Sequence, residues 1–211
     1  MKLVTFTEAG QTRIGLLKED YIIDLSQSVP SLPTDMLSFL GLGDTALQTA
    51  GQQMSATPHY SIKDVFLEAP IRRPPKILAI GLNYRAHALE SNMEIPKHPM
   101  VFTKQRTSAN GPYDPIYSPD ETNLLDYEGE LAIVIGKQCR RVKREDASQV
   151  IAGFCVLNDV SVREWQFLAT PPQFTMGKSW DTHNPFGPAI VTPDELDPHD
   201  LLLRTFVNQE L

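Results

Sequence analysis

Proline recurs along the whole chain, 17 times in 211 residues, and this feature alone excludes a bundle of long helices. Each proline removes a backbone donor and clashes with the preceding helical turn. Here it is about one residue in twelve, against an average of roughly one in twenty. A chain punctuated in this way folds as many short elements joined by turns. Its length suits one domain, or one domain with a small appendage, and is enough to bury a core without disulfides. Hydrophobic residues make up 41%, which is ordinary for a folded protein and too high for a disordered one.

Charge and cysteine usage narrow the partners. Nineteen Lys+Arg stand against 26 Asp+Glu, a formal charge of −7. The basic residues come in pairs, Arg72-Arg73 and Arg140-Arg141, not as a patch interleaved with aromatics, so no nucleic-acid partner is expected. Cys139 and Cys155 stand alone without a C-x-x-C, which suits a reducing compartment and reads as core filler. The start, Leu3-Val4-Thr5-Phe6-Thr7-Glu8, has no long apolar stretch. The longest clean apolar run is Ile151 to Leu157, glycine included. No membrane partner is expected, and the chain reads as a soluble cytoplasmic protein.

Three short alternating runs, Lys2–Thr7, Thr12–Lys18 and Tyr21–Leu25, predict a β-meander. Short helices are expected at Thr34–Leu40 and Thr45–Met54. The proline-rich stretch Ala69–Pro75 favours extended backbone and reads as a linker, dividing the chain into residues 1–70, a small β-rich domain, and residues 71–211, a larger second domain. Beyond it come a strand at Lys76–Ile80 and a helix at Tyr84–Ser91 with Asn83 as its cap. Further strands are expected at Met100–Lys104, Leu131–Ile135, Ile151–Leu157 and Pro188–Val191, with a helix from Val160 to Leu168. Leu201–Val207 reads as a last strand and Asn208-Gln209 as a hairpin turn.

Four groupings of polar residues stand out. In the run Asp126–Ile135, alternation places Glu128 and Glu130 on one strand face, with Cα atoms roughly 6.6 Å apart by the strand rise. Two buried like charges at that spacing need a cation; a solvated strand end fits the same residues. Asp159 ends a buried apolar strand and fits either a metal ligand or a helix N-terminal carboxylate. On helical spacing Asp159, Arg163 and Gln166 line one stripe, which also allows a plain Asp159–Arg163 ion pair. His87 and Glu90 are three apart on one helix, a water-activating dyad or a surface pair. Lys178, in Met176-Gly177-Lys178-Ser179-Trp180, is not in a P-loop, because Pro172 stands where that motif needs a glycine; it is a site lysine or a solvated one.

Taken in order, Lys76–Tyr84 with His87 and Glu90, then Glu128-Gly129-Glu130-Leu131, then Asn158-Asp159 with Arg163 and Gln166, then Gly177-Lys178-Ser179 and Gly187-Pro188-Ala189 resemble the fumarylacetoacetate hydrolase family. The likeness runs from about Lys76 to the chain end. It implies an α+β, mainly β fold, a mixed β-sandwich roll with a small N-terminal β-rich domain. By the resemblance Glu128, Glu130 and Asp159 hold one Mg²⁺ or Mn²⁺, His87 and Glu90 activate water, and Lys178 is catalytic. Arg163, Gln166 and Lys104 bind substrate. All-oxygen ligation suits such hard cations. The implied activity is hydrolysis of a carbon–carbon bond in a small 2,4-dioxo acid such as an acylpyruvate, through a metal-stabilised enolate. A hydratase, isomerase or decarboxylase on a related 2-oxo acid fits the same scaffold. A homodimer is implied. The resemblance also implies further strands and a Thr-Gly-Thr-Pro-type loop beyond a segment like Arg204–Glu210. The chain as given then reads as truncated, an inactive metal-binding fragment being the alternative to an enzyme, with an unpaired edge prone to self-association.

Overall fold

The computed structural model describes residues 1–90 and 92–211. The meander forms as β1 (Lys2–Glu8), β2 (Gln11–Lys18) and β3 (Tyr21–Asp24), each antiparallel to the next. The turn between β1 and β2 places Ala9 at φ 47 and Gly10 at φ 75, and two positive φ values match the right-handed twist of a two-residue hairpin. Alternate residues of the meander point to opposite sides, and both sides are covered. Leu3, Ile14, Leu16 and Ile23 pack on one side with the helical segment, while Val4, Phe6 and Ile22 pack on the other with Leu67 and Ala189.

Three short helices follow: α1 (Leu25–Ser28), α2 (Met36–Gly41) and α3 (Asp44–Gly51). The Asp35 carboxylate accepts the Ser38 N–H at 2.9 Å and starts α2. Met36, Phe39 and Leu40 then turn inward, joined by Ala46 and Ala50 of α3. α3 stops at Gly51 and continues as a 3₁₀ turn, Gln52–Ser55, instead of running unbroken to Met54.

The remaining strands are β4 (Tyr60–Ser61), β5 (Phe66–Leu67), β6 (Ile77–Gly81), β7 (Met100–Lys104), β8 (Ala109–Asn110), β9 (Leu125–Asp126), β10 (Gly129–Ile135), β11 (Ile151–Asn158), β12 (Ser161–Val162), β13 (Asn184–Pro185) and β14 (Ala189–Val191). The main sheet runs β10-β11-β14-β1-β2-β3-β4, with β5 also paired to β1. β6 and β7 make a separate antiparallel ribbon, and α4 (Arg85–Glu90) lies between them in sequence. Because β14 sits between β11 and β1, with Leu3 opposite Ile190 and Phe154 opposite Val191, the sheet continues across the proline-rich linker. The division at Pro70 separates two chain segments that share one sheet. The architecture is α+β and mainly β.

The β11–β14 junction tolerates no side chain at Gly153. A Cβ there would lie 2.4 Å from the Val191 carbonyl oxygen and 2.6 Å from Ile190 Cγ2. Backbone cannot step aside as a side chain can, so Gly153→Ala is expected to lower the unfolding free energy by about 1–3 kcal/mol. Urea unfolding of the two proteins checks this; equal midpoints would show that the strands can separate locally.

Several expectations are corrected. The continuous helix at Val160–Leu168 is not formed. Ser161 and Val162 pair with Asp126 and Leu125 as β12, and only Glu164–Leu168 is helical, with π winding. Two residues captured by a strand partner leave too few for an α-helix. Ala88 N–H donates to the Tyr84 carbonyl, so Tyr84, not Asn83, opens the hydrogen bonding of α4; Ser91, the expected last residue of that helix, lies outside the described residues. Leu201–Val207 is not a strand, since no neighbour offers it a ladder. The turn after it does form, with Asn208 at φ 50 and Gln209 at φ 71 and reciprocal bonds between Val207 and Glu210. Cys155 is buried in the core, its thiol pushed up to about 12 by burial, whereas Cys139 is exposed and fills no core.

Candidate active site

The start of β10 and the end of β11 are locked side by side by two hydrogen bonds, one to a side chain and one between backbones. Glu128 N–H donates to Asn158 Oδ1 at 3.0 Å, and Asp159 N–H donates to the Glu128 carbonyl at 2.8 Å. This brings together two carboxylates that are 31 residues apart in sequence. Strand alternation adds Glu130 on the face of Glu128.

Three cations from distant segments converge on this pair. Lys178, just past α5 (Phe174–Gly177), spends all three ammonium protons here: 2.7 Å to Glu128 Oε2, 2.9 Å to Asp159 Oδ2 and 2.8 Å to Ser161 Oγ. Lys104, the last residue of β7, reaches Asp159 Oδ1 at 2.5 Å and the Val160 carbonyl at 3.3 Å. Arg163 donates from Nη1 to Glu128 Oε1 at 2.5 Å and to Gln166 Oε1 at 2.6 Å. Both lysines and Asp159 are almost wholly buried. Fully buried charges occur only when paired, so the solvated-lysine reading of Lys178 falls. Burial pushes the Lys104 ammonium down to about 8, with Asp159 opposing the shift.

Arg163 pairs with Asp126 and Glu128 instead of Asp159. Its Nε and Nη2 both reach Asp126 Oδ2, at 3.0 and 2.7 Å. The helical stripe expected for Asp159, Arg163 and Gln166 does not exist, because Asp159 precedes β12. Arg163 and Gln166 still meet, and Glu128 joins them. Asp126 and Ser161 were missed in the sequence. Asp126 had a signal, since it alternates in phase with Glu128 and Glu130. Ser161 had none, because its role depends on a lysine 17 residues away.

Glu130 differs from its neighbours. Burial pushes its carboxyl up to about 7, and the charges of Glu128 and Asp159 push in the same direction against a hydrogen bond from Tyr84. Tyr84 stands just before α4, and its hydroxyl oxygen accepts the Leu131 N–H at 3.2 Å. His87 and Glu90 lie one and two turns further along, exposed to solvent, and neither makes a side-chain hydrogen bond among the described residues. The structure ties the residue before their helix, Tyr84, to β10 at Leu131, and joins neither His87 nor Glu90 to the carboxylates by a hydrogen bond among the described residues.

Among the described residues, no group of three or more His, Cys, Asp and Glu side chains is arranged to hold a metal ion. The ammonium groups account for this, because the facing oxygens of Glu128 and Asp159 point to lysine and arginine. The donor set nonetheless fits a hard divalent cation. It consists of carboxylate oxygens alone, and it holds the Lys178 cation between two of them, with a third carboxylate, Glu130, on the same strand face as Glu128.

A cavity of about 580 Å³ lies elsewhere, between the C-terminal arm at Leu203–Asn208 and Gly129, Val156 and Phe186. Gly129 faces it with a close approach to Thr205, so the cavity opens on the opposite side of β10 from Glu128 and Glu130.

Residues 76–211 match the model of the fumarylacetoacetate hydrolase C-terminal domain. The chain is 45% identical over 217 residues to the mitochondrial oxaloacetate tautomerase of Xenopus laevis, covering 100% of this chain and 68% of that one. With the mitochondrial oxaloacetate tautomerase of Rattus norvegicus it shares 42% over 192 residues, 90% of this chain and 61% of the relative. Among solved structures, the fumarylacetoacetate hydrolase of Exiguobacterium antarcticum superposes with a TM-score of 0.79 at 35% identity, over 95% of this chain and 69% of that one. The maleylpyruvate hydrolase of Sphingobium sp. SYK-6, in complex with manganese(II) ion and pyruvate, gives 0.74 at 28% identity, over 94% and 70%. The chain thus spans about two thirds of its relatives' length. The names of the frog and rat proteins overturn the cytoplasmic expectation. That expectation rested on the lack of an apolar leader, and a mitochondrial transit segment is amphipathic and Arg-rich, not a long apolar run. No helix among the described residues is long and apolar enough to cross a membrane. By the match over residues 76–211 and the 45% identity to a relative of which it covers more than two thirds, the chain belongs to the fumarylacetoacetate hydrolase family.

Proposed function

We propose that Glu128, Glu130 and Asp159 hold one Mg²⁺ or Mn²⁺, and that the protein catalyses keto–enol interconversion of a small 2-oxo dicarboxylic acid resembling oxaloacetate. The observation that carries this reading is the convergence of three carboxylates with Lys178, Lys104 and Arg163 in a chain of net charge −7. The tautomerase names of the frog and rat relatives, at 45% and 42% identity, support this reaction among those of the family. A divalent cation bound there supplies Lewis-acid stabilisation of an enolate.

The chain's own residues supply the rest. Arg163, clamped by Asp126, offers a guanidinium to a substrate carboxylate. Gln166, buried and bonded to Arg163, fixes its orientation. Lys178 keeps positive charge at the carboxylates, where negative charge develops on the substrate oxygen, and Lys104 holds Asp159 from the other side. His87, on the same helix as Glu90, exchanges a proton with the substrate carbon.

A second reading is hydrolysis of the carbon–carbon bond of an acylpyruvate, with His87 taking a proton from water. It is favoured by the likeness to the maleylpyruvate hydrolase. The two separate in one assay. Enol oxaloacetate is followed by loss of absorbance, and an acylpyruvate panel is followed by pyruvate release, with and without Mg²⁺ or Mn²⁺. Metal-dependent acceleration of the first alone is expected; pyruvate release without tautomerisation would replace the first reading by the second.

Metal ligation is tested apart from turnover. Glu128→Gln is expected to weaken Mn²⁺ binding in calorimetry about tenfold or more, because a charged oxygen donor is lost. Equal affinity in the two proteins would remove Glu128 from the ligand set.

A further inference from the structure

Tyr84 is where α4 meets the strand that carries the carboxylates. Its hydroxyl oxygen accepts the Leu131 N–H at 3.2 Å, one residue beyond Glu130 on the same strand. β10 is the last strand of the main sheet, and this N–H points to its open side. A side chain, and not another strand, satisfies it there. Tyr84 also opens the helix, its carbonyl accepting the Ala88 N–H at 3.1 Å.

Six residues do not make a self-supporting helix in water. The position of α4 must therefore come from outside contacts, and two are visible. Ala88 is fully buried, which anchors the helix radially. The Tyr84 hydroxyl fixes its near end against Leu131, one turn before His87. A phenyl ring would fill the same half-exposed space, so packing does not require the oxygen. What the oxygen adds is a polar tie between the helix bearing His87 and the strand bearing Glu130.

We infer that Tyr84 is a positioning residue for His87, tying its helix to the strand that carries Glu128 and Glu130 through the Leu131 contact. This rests on the reading of His87 as the proton-transferring base. Tyr84→Phe is the test, measured on the protein alone and in turnover. Hydrogen exchange at the Leu131 amide should quicken about tenfold in the metal-free protein, with the melting temperature unchanged. In turnover, kcat should fall about tenfold with little change in KM or Mn²⁺ affinity, and the same substitution placed in His87→Ala should cause no further fall.

Unchanged exchange at Leu131 would overturn the contact and the inference with it. Independent, multiplying effects of Tyr84→Phe and His87→Ala would also overturn it, because a residue acting through His87 has nothing to position once the imidazole is gone. If His87→Ala keeps full turnover while Leu131 exchange still quickens in Tyr84→Phe, the base assignment has failed, the contact stands, and the positioning role is withdrawn.

Discussion

His87→Ala is expected to lower turnover by a factor of about 10² to 10⁴, the usual loss when a positioned general base is removed. Divalent metal affinity should hardly move. The imidazole stands on α4, which reaches the site only through Tyr84, whereas Glu128 and Asp159 are engaged by Lys178, Lys104 and Arg163. Removing His87 therefore leaves every ion pair of the carboxylate cluster intact. Calorimetry with Mn²⁺ alongside enol oxaloacetate turnover separates the two effects. Turnover preserved within a factor of about two would take proton transfer away from His87 and leave Lys178, the buried ammonium between the carboxylates, as the group to test next.

The largest effect on stability is expected far from the site, at Asp24. Its carboxylate is inaccessible to solvent and fully engaged. Oδ1 accepts the Ser26 N–H and hydroxyl at 2.8 and 2.6 Å, and Oδ2 accepts Arg13 Nε at 2.8 Å and Gln27 Nε2 at 3.1 Å. Asp24→Ala removes the cap of α1 and leaves Arg13, mostly buried against Phe6 and Tyr60, with Glu8 as its remaining carboxylate partner. A loss of about 3 kcal/mol follows, the low end for breaking a buried pair because Glu8 still compensates. Burial alone would raise the Asp24 carboxyl, but the hydrogen bonds from Ser26, Gln27 and Arg13 outweigh it and hold the group below its ordinary range. A depressed carboxyl contributes stability that is fully present above its unfolded value, near pH 4, and is lost as pH falls through the folded value. Wild-type stability should thus drop on acidification below about pH 4 more steeply than that of Asp24→Asn. Urea unfolding at pH 7, 5, 4 and 3 tests this; parallel curves would show that Asp24 does not titrate with folding.

Short β-like runs were enough to place β1, β2 and β3, alternation β10 and an unbroken apolar run β11, because each signal is set by immediate neighbours along the strand. The same local rule put Glu128 and Glu130 on one face, and would have added Asp126. Asp35 and the residues after it were equally legible, since a cap and its helix lie within four residues. Proline density ruled out long helices for a similar reason, acting one residue at a time.

Pairing was decided by the tertiary structure. Nothing near Ala189–Val191 says that this short strand lies between β11 and a strand made of the chain's first residues. That choice depends on which faces are left to bury once the chain has closed long loops. The same holds where helix propensity lost. Ser161 and Val162 had a strand partner at Leu125-Asp126 and took it, whereas Leu201–Val207 had none and stayed irregular. At the site the carboxylates were legible and their counter-charges were not. Lys104 and Lys178 lie 55 and 19 residues from Asp159, each read alone as a lysine among apolar or small residues. Only the folded chain makes burying those charges tolerable, by placing every ammonium against a carboxylate. The sequence by itself determined most of the strands and which acids share a face; the tertiary structure alone decided which strands became neighbours and which bases meet those acids, because both depend on contacts that no local stretch of chain can satisfy.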